Sequence, residues 1–326
     1  MVKNILENNI VLYNPAISSM NIGDKIIAEA AKKKIEELFK GNFVLEVSTF
    51  FPVSYYHMRH FKDAKYKFVL GSNLLKSTFF GLKKQWDIKL RQSSFVGPVI
   101  LMGAGWWQYN NKPNLYTKLL YKKLLYKDYI HSVRDDFTLK KMKSMGIKNV
   151  INTSCPTMWN FTEEFNSKIP TRRAENVIFT VNAGNKDELN DAKMIDLLHK
   201  EYYKVFFWPQ EIKDKQYVDY LERHNSNKSI VINPNLKDYD NFLENNDTDY
   251  IGTRLHGGIR ALQKYCRSLI LTIDNRANEK KKDFNLPVIK RGCLSEIKKF
   301  IKKDYAINIL IPEKEIFTWK SQFRLS

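Results

Sequence analysis

The stretch IGTRLHGGIR, residues 251–260, places an arginine, a histidine and two glycines within a few positions. An apolar run leads into Arg254, His256 follows two residues later, and an apolar helical pattern begins near Gly257. If extended backbone continues to position 256, the side chains of Arg254 and His256 point the same way. An arginine binds phosphate or carboxylate through paired N–H groups, and a histidine exchanges protons near neutral pH. The spacing therefore predicts an anion site with an acid or base beside it.

The same residues also have a structural explanation, which the motif alone leaves open. Arg254 could form a salt bridge with Asp247 or Asp249. His256 could cap the following helix. On the functional side, Gly257 lacks a side chain, so a ligand can approach the backbone where helix amides and the helix dipole favour an anion. We therefore looked for further polar residues that the fold would bring to the same place.

The secondary-structure elements that must position these residues follow a regular order. Strand-like and helix-like stretches alternate along the chain, and the rhythm restarts after a polar linker that contains Pro170. Such alternation predicts parallel sheets covered by helices on both faces. We expect an α/β protein with two Rossmann-like domains facing a cleft: an N-terminal domain, 1–165, on the acceptor side, and a C-terminal domain, 166–326, carrying the RxHGG motif. The last helix is expected to pack back on the N-terminal domain.

Polar residues follow many of the predicted strands. In open parallel sheets, ligands bind beyond the carboxyl ends of the strands. The residues at or just after those ends that we select as candidates are Asn21, Asp24, Asn73, Arg134, Asn182, Arg254, His256 and Arg276. By the same reasoning Arg134 points to the crevice, whereas Asp135 beside it is expected to cap the next helix, as Asp24 could also do.

Composition limits the class of protein and of partner. The 326 residues include 54 basic and 35 acidic ones, a formal net charge of +19 that favours anionic partners. The lysines lie in helix-like stretches such as YTKLLYKKLLYKDY, which are typical of solvated helix faces or of contact with an anionic membrane. No nucleic-acid motif accompanies them, so no nucleic-acid partner is expected.

Targeting and metal signals are absent from the sequence pattern. There is no signal-peptide pattern and no apolar run long enough to span a membrane, so we expect a cytoplasmic protein, or one at the inner face of the cell membrane. The cysteines, Cys155, Cys266 and Cys293, are an odd number without a CxxC pair. The histidines have no metal-ligand spacing, and no carboxylates cluster. No metal and no cofactor are therefore expected.

Taken together and in this order, the motifs resemble the polysaccharide pyruvyl transferase family. The matching segments are SSMNIGDKII (18–27), SVRDDFTLKKMKSMGIKNVINTSCPTMW (132–159), GTRLHGGIRAL (252–262) and LILTIDNRANE (269–279). The resemblance implies a fold like that of the two-domain GT-B glycosyltransferases. It also implies transfer of the enolpyruvyl group of phosphoenolpyruvate, as co-substrate, to a sugar of a cell-surface polysaccharide or its lipid-linked precursor, with formation of a pyruvate ketal and release of phosphate.

The resemblance also suggests roles for individual residues. Arg254 and His256 match the Arg-x-His signature, Arg134 matches the arginine of a Ser-x-Arg-Asp stretch, and Asn21 and Asp24 match an Asn-x-Gly-Asp loop. We expect His256 to deliver a proton to the donor, with Asp24 as the base for a sugar hydroxyl. The residues expected to bind the donor are Arg134, Arg254, Gly257, Asn182 and Arg276; those expected to bind the acceptor are Asn21, Asn73 and Trp106, whose ring could stack on a sugar.

Two other functions remain open from the sequence. A GT-B glycosyltransferase with a nucleotide-sugar donor would use Arg254 to hold a diphosphate. A non-catalytic component of a polysaccharide assembly complex would show no turnover with any donor, and would bind anionic vesicles in a salt-dependent way.

Overall fold

The computed structural model describes residues 9–54, 56, 61, 64–80, 85–107, 109 and 112–323. The chain forms two compact units. Unit 1 consists of Met1–Ser19, Ile27–Trp159 and Ile311–Ser326, and unit 2 of Met20–Ile26 and Asn160–Leu310. The division departs from a single boundary near residue 165 in two places: Met20–Ile26 belongs to unit 2, and Ile311–Ser326 belongs to unit 1, where the last helix was expected to pack. Long-range packing, which a linear boundary does not capture, is the reason.

Strands and helices alternate along most of the described chain. The strands are β1 Asn9–Asn14, β2 Phe43–Ser48, β3 Tyr66–Leu70, β4 Ile100–Met102, β5 His131–Val133, β6 Val150–Asn152, β7 Asn176–Thr180, β8 Val205–Phe207, β9 Ile230–Val231, β10 Thr248–Gly252, β11 Ser268–Thr272 and β12 Val288–Lys290. The helices are α1 Ile22–Leu38, α2 Ser93–Val96, α3 Leu115–Leu124, α4 Asp136–Ser144, α5 Glu163–Ser167, α6 Glu188–Glu201, α7 Ile212–Leu221, α8 Leu236–Asn245, α9 Leu255–Gln263, α10 Asn275–Phe284, α11 Leu294–Lys302 and α12 Glu313–Ser321.

Unit 1 is built on parallel strands in the order β2-β1-β3-β4, followed by the parallel pair β5-β6. Side chains of β1 alternate between two cores. Val11 and Tyr13 belong to one apolar cluster, and Ile10 and Leu12 to another. Both faces of the sheet are therefore buried, as the continuous apolar character of β1 predicts.

The buried side chain of His131 accepts a hydrogen bond from the backbone of β4. The backbone N–H of Leu101 donates to Nδ1 of His131 at 3.2 Å, and Nε2 of His131 lies 2.9 Å from the carbonyl oxygen of Tyr126. The ring is therefore neutral, with its proton on Nε2. Burial lowers the pKa of His131 from 6.5 to about 4, although the Tyr126 carbonyl opposes the shift.

This histidine should make the stability of the protein depend on pH. Because the folded-state pKa lies below the unfolded-state value, the unfolded chain takes up the proton first as the pH falls. Stability is therefore lost between about pH 6.5 and pH 4, by about 3 kcal/mol at about 1.4 kcal/mol per pKa unit. Urea unfolding at pH 7 and pH 4.5 measures this loss. In His131→Gln, whose amide can still accept from Leu101, the loss should be smaller; an equal loss in both proteins would contradict the assignment.

The last helix belongs to unit 1. Trp319 of α12 is fully buried, with its ring centroid 6.0 Å from that of Phe68 on β3. Phe323, just after the helix, lies 5.4 Å from Phe68 and stacks on Tyr129. The side chain of Gln322 also bonds with the backbone of Ile130, accepting from its N–H at 2.7 Å. The C-terminal segment thus completes the core on one face of the unit 1 sheet.

Unit 2 contains a second parallel sheet, in the order β12-β11-β10-β7-β8-β9. Its core includes Phe179 and Phe207 from neighbouring strands, whose rings stack at 5.1 Å. The carboxyl ends of β7, β8 and β10 lie side by side at one edge of this sheet. The residues after those three strands are the ones that the sequence marks as candidates.

The sheets confirm the predicted α/β class with parallel strands. Every helix among the described residues is too short or too polar to span a lipid bilayer.

Candidate active site

The RxHGG motif lies at the junction of β10 and α9, but the strand ends earlier than expected. Gly252 is the last strand residue, and Arg254, with φ −88° and ψ 100°, is the N-cap of α9. His256 therefore lies in the first turn of the helix and is not the cap. The expectation that extended backbone carries both side chains in one direction is wrong, because the helix begins at Leu255.

Arg254 is held by two carboxylates. Its Nη2 donates to both oxygens of Asp214, at 2.7 and 2.5 Å, and its Nη1 donates to Glu211 at 2.9 Å. Its Nε donates to the carbonyl oxygen of Val181 at 3.0 Å. The expected partners were wrong, since Asp249 pairs with Arg267 in a fully buried ion pair. The salt-bridge explanation holds, with partners about forty residues away in sequence.

These contacts correct the role expected for Arg254. The residue is 6% exposed and Asp214 is fully buried, so the pair is shielded from water. Two carboxylates already offset the guanidinium charge, and its strongest donors are occupied. Arg254 therefore orients the start of α9 and the loop after β8. It is a positioning residue in this structure and not an open clamp for phosphate.

Asp214 organises three loops at the edge of the sheet. Besides Arg254, its side chain accepts from the backbone N–H of Ala183 at 2.9 Å, and from those of Gln210 and Glu211 at 3.2 Å. Those residues follow β7 and β8, whereas Arg254 follows β10. Sequence reasoning missed Asp214, because it lies inside α7 rather than at a strand end.

His256 is placed for chemistry at the same edge. It is 6% exposed and lies in the first turn of α9, where backbone N–H groups lack intrahelical acceptors. Gly257 follows it, and the Gly257 carbonyl accepts from the hydroxyl of Tyr239 at 2.9 Å. This hydrogen bond fixes the first turn of α9 in position.

Gln210 is the neighbour of Gly257 and was not assigned a role from the sequence. A Cβ on Gly257 would lie 2.7 Å from Nε2 of Gln210. The side chain is 2% exposed, and its Nε2 has no hydrogen-bond partner among the described residues. A buried amide that donates to nothing costs free energy, so it marks a place where a ligand oxygen or water belongs. The sequence feature that could have identified Gln210 is its position just after a strand and a proline.

Gln210 also touches the Asn-x-Gly-Asp loop. The Gln210 carbonyl accepts from the backbone N–H of Ile22 at 3.4 Å, and a Cβ on Gly23 would lie 3.2 Å from Oε1 of Gln210. Asn21 caps α1, accepting from the Gly23 N–H at 3.0 Å. Unit 2 thus brings the loop with Asn21 and the RxHGG helix to the two sides of one glutamine.

Asp24 and Arg276 interact electrostatically within unit 2. Arg276 donates to Asp274 through Nε at 2.8 Å and Nη2 at 2.6 Å. Burial lowers the pKa of Arg276, but Asp274 and then Asp24 outweigh it and raise the pKa. Asp24 itself lies in the first turn of α1, after the cap residue Asn21, where the helix dipole favours a carboxylate. The two candidates are therefore electrostatically linked.

Asn182 has a local structural contact. It follows β7, and its side-chain oxygen accepts from the Gly184 N–H at 2.9 Å, which caps a short 3₁₀ turn over Ala183–Asn185. The turn places Ala183 against Asp214. Asn182 therefore shapes the edge of the site.

Unit 1 holds the other arginine candidate. Arg134 is 3% exposed; its Nε donates to Asp135 at 3.1 Å and its Nη2 to Asn73 at 2.5 Å. A Cβ on Gly105 would lie 2.0 Å from Nε of Arg134, so only glycine leaves room for the guanidinium. Asp135 caps α4 as predicted, accepting from the Thr138 N–H. The structure thus joins Arg134 to Asn73 within unit 1.

Trp106 cannot stack on a sugar in this structure. Its side chain is fully buried, and its ring packs 6.3 Å from that of Tyr121 in the unit 1 core. The acceptor role predicted for Trp106 is therefore wrong. Trp208 is also fully buried, stacked on Tyr239 at 3.6 Å. Both tryptophans thus belong to the protein interior.

Metal ligands do not cluster in the part of the chain that the structure describes: no group of three or more His, Cys, Asp or Glu could hold an ion there. His57 and His60 lie outside the described residues.

The glycines of α9 provide a test of the contact between Gln210 and Gly257. Gly257→Ala would press on Gln210, whereas a Cβ on Gly258 would lie 2.5 Å from Ile270 in the core. We expect Gly258→Ala to lower stability by about 1–3 kcal/mol through overpacking. Gly257→Ala should lower stability less but reduce kcat/KM by about tenfold or more, since it displaces a group at the site. Thermal unfolding and steady-state kinetics of the two variants measure these effects; equal kinetic losses in both variants would count against a role for Gln210 at the site.

Two solved structures similar to this chain share its architecture. Methanocaldococcus jannaschii UDP-GlcNAc 2-epimerase, in complex with UDP-GlcNAc and UDP, has a TM-score of 0.51 and 10% identity, covering 97% of this chain and 98% of its own. S. aureus MnaA, in a co-structure with UDP, has a TM-score of 0.53 and 12% identity, covering 98% and 96%. At this identity the likeness shows the fold alone, a GT-B-type arrangement of parallel sheets. A comparison with curated proteins gives no match.

A family comparison agrees with the order of the motifs. The sequence model of the polysaccharide pyruvyl transferases matches residues 21–275, from the Asn-x-Gly-Asp loop to the start of α10. The matched range includes Arg134, Gln210 and the RxHGG motif. The chain therefore belongs to the polysaccharide pyruvyl transferase family and is a transferase that acts on polysaccharide.

Proposed function

We propose that the protein transfers the pyruvyl group of phosphoenolpyruvate to two hydroxyls of one sugar, forming a ketal and releasing phosphate. The acceptor is a cell-surface polysaccharide or its lipid-linked precursor. The observation that carries the proposal is the position of His256 in the first turn of α9, one residue before Gly257, which lies against the unpartnered amide of Gln210. Phosphoenolpyruvate is a small acidic enol ester. It needs a proton donor for its methylene carbon and hydrogen-bond donors for its anionic oxygens, and His256 and the amides are proposed to supply these.

The proposed reaction balances without a further reagent. His256 delivers a proton to the methylene carbon, C3, and C2 gains oxocarbenium character. One sugar hydroxyl forms a C–O bond to C2 and loses its proton. The C2–O bond to phosphate then breaks as a second hydroxyl bonds to C2 and closes the ring. One hydroxyl proton replaces the proton that His256 gave to the methyl group, and the other leaves with phosphate.

Donor binding is proposed to rest on amide donors more than on paired arginines. The first-turn N–H groups around Gly257 and the Nε2 of Gln210 suit carboxylate or phosphate oxygens. Arg254 would act through its hold on this turn. Arg276 stays a proposed donor ligand, and Asn182 a residue that shapes the edge of the site.

Acceptor activation is proposed for the loop on the other side of Gln210. Asp24 would accept the proton of the sugar hydroxyl, with Asn21 as a proposed hydrogen-bond partner of the sugar. In this proposal the chemistry uses protein side chains and the two substrates, with no metal and no other cofactor.

Isotope labelling tests the proposal. The protein would be incubated in D₂O with phosphoenolpyruvate and a panel of lipid-linked or free saccharides, followed by mass spectrometry and phosphate assay. We expect one phosphate per modified sugar and one deuterium in the new methyl group. A parallel incubation with UDP-, GDP- and CMP-sugars serves as the comparison. Glycosyl transfer from one of these, without phosphate release from phosphoenolpyruvate, would overturn the proposal in favour of a nucleotide-sugar glycosyltransferase.

A further inference from the structure

A basic segment surrounds α3 in unit 1. Between residues 112 and 149 the chain has nine lysines and one arginine, against three aspartates. Arg134 and Asp135 of this set are buried and paired with each other, so the lysines dominate the outer charge. The candidate active site uses none of these lysines.

Two grooves along α3 are lined by these lysines. One, of about 470 Å³, includes Lys122, Lys127 and Lys148, and the other, of about 530 Å³, includes Lys112, Lys118, Lys140 and Lys141. Neither groove has an acidic residue in its lining. Lys118 and Lys122 are one helical turn apart, so α3 contributes to both grooves from one face.

Large apolar side chains are exposed between and beside these lysines. Leu115 is 73% exposed and Leu119, one turn further along α3, is 50% exposed. Phe80, 68% exposed, has its ring 5.2 Å from that of Tyr116 on α3, and Phe95 on the adjoining helix α2 is also exposed. We call Phe80, Phe95, Leu115, Leu119 and the seven lysines of the two grooves the α3 surface.

We propose that the α3 surface docks on an anionic phospholipid bilayer. Exposed leucine and phenylalanine can enter the region below the headgroups, while lysines beside them meet the phosphates. Each lysine near such a surface contributes about 1 kcal/mol, so a cluster of this size is enough for reversible binding. A second copy of the chain is a poor occupant, since a twofold contact would face lysines with lysines. Nucleic acid is also a poor occupant, because it would contact the lysines but leave the exposed leucines and phenylalanines in water.

This inference goes beyond the proposed chemistry and does not depend on the donor. If the acceptor is lipid-linked, the α3 surface would bring the enzyme to it. If the protein did not use phosphoenolpyruvate, the expected vesicle binding would be unchanged. If the protein did not bind vesicles, the expected reaction with phosphoenolpyruvate would be unchanged.

Vesicle co-sedimentation tests the proposal. We expect the full chain to bind phosphatidylcholine vesicles that contain phosphatidylglycerol, to bind pure phosphatidylcholine vesicles far less, and to lose binding as salt rises. Lys118→Gln/Lys122→Gln should weaken partitioning roughly 30-fold. Leu115→Ser/Leu119→Ser should also weaken it while circular dichroism stays unchanged.

A matched control distinguishes the effect of the α3 surface on vesicle binding from the effect of the total charge. Lys298 and Lys299 are exposed on α11 in unit 2, and Lys298→Gln/Lys299→Gln removes the same charge elsewhere. We expect this control to bind like the unaltered protein. Equal weakening in both lysine pairs would overturn the proposal. So would the absence of vesicle binding, or sedimentation velocity that shows a dimer lost in Leu115→Ser/Leu119→Ser.

Discussion

His256→Ala is expected to lower turnover by about 10²–10⁴-fold, the range that a positioned acid contributes. The residue lies in the first turn of α9, and removing an imidazole there takes away the proposed proton donor to C3. Phosphate release and deuterium incorporation should fall together, because both follow the same proton transfer. Because His256 is buried, thermal unfolding of the variant is measured beside the kinetics, so that a loss of folding is distinguished from a loss of catalysis.

The control for this variant is a histidine away from the site. His224 is exposed in the same unit, just after α7. His224→Ala should keep the activity of the unaltered protein. Near-normal turnover in His256→Ala would remove His256 from the mechanism, and equal losses in the two variants would point to a general effect of losing imidazole.

Arg254→Met is expected to destabilise the protein by about 3–5 kcal/mol, because it leaves the buried Asp214 carboxylate without its partner. Activity should fall as well, since the start of α9 and the loop after β8 lose their common anchor. Urea unfolding measures the stability. Adding Asp214→Asn to this variant should restore part of the lost stability by removing the unpaired charge.

The outcome also separates two roles for the same arginine. A residue that only held the donor phosphate would raise KM on substitution and leave the unfolding free energy unchanged. That result would contradict the positioning role. Arg172→Met, which alters an exposed arginine of unit 2, is the matched control and should change neither quantity.

The fold class could be predicted from the sequence because its signals are local. Apolar runs such as VLY in β1, separated by amphipathic helices, predict buried parallel strands wherever they occur. The order of the motifs then predicted the family, which the family comparison confirms. Membership in a family of transferases also removes the non-catalytic alternative.

The contacts of the site could not be predicted in the same way. Arg254 has its partners in α7, about forty residues earlier, and no local pattern indicates which carboxylate a strand-end arginine will meet. The burial of Trp106 likewise depends on Tyr121 and its neighbours in the core. Gln210 was visible as a polar residue after a strand, but its place between Gly23 and Gly257 appears only in three dimensions.

The carboxylate of Asp214 has a consequence for motion as well. Since it accepts from Ala183, Gln210 and Glu211 and pairs with Arg254, three loops share one acceptor. Opening any one of them exposes the same buried charge, so they should open as one cooperative unit. In native-state hydrogen exchange, the amides of Ala183, Gln210 and Glu211 would then report a single opening free energy, and a ligand that protects one would protect all three.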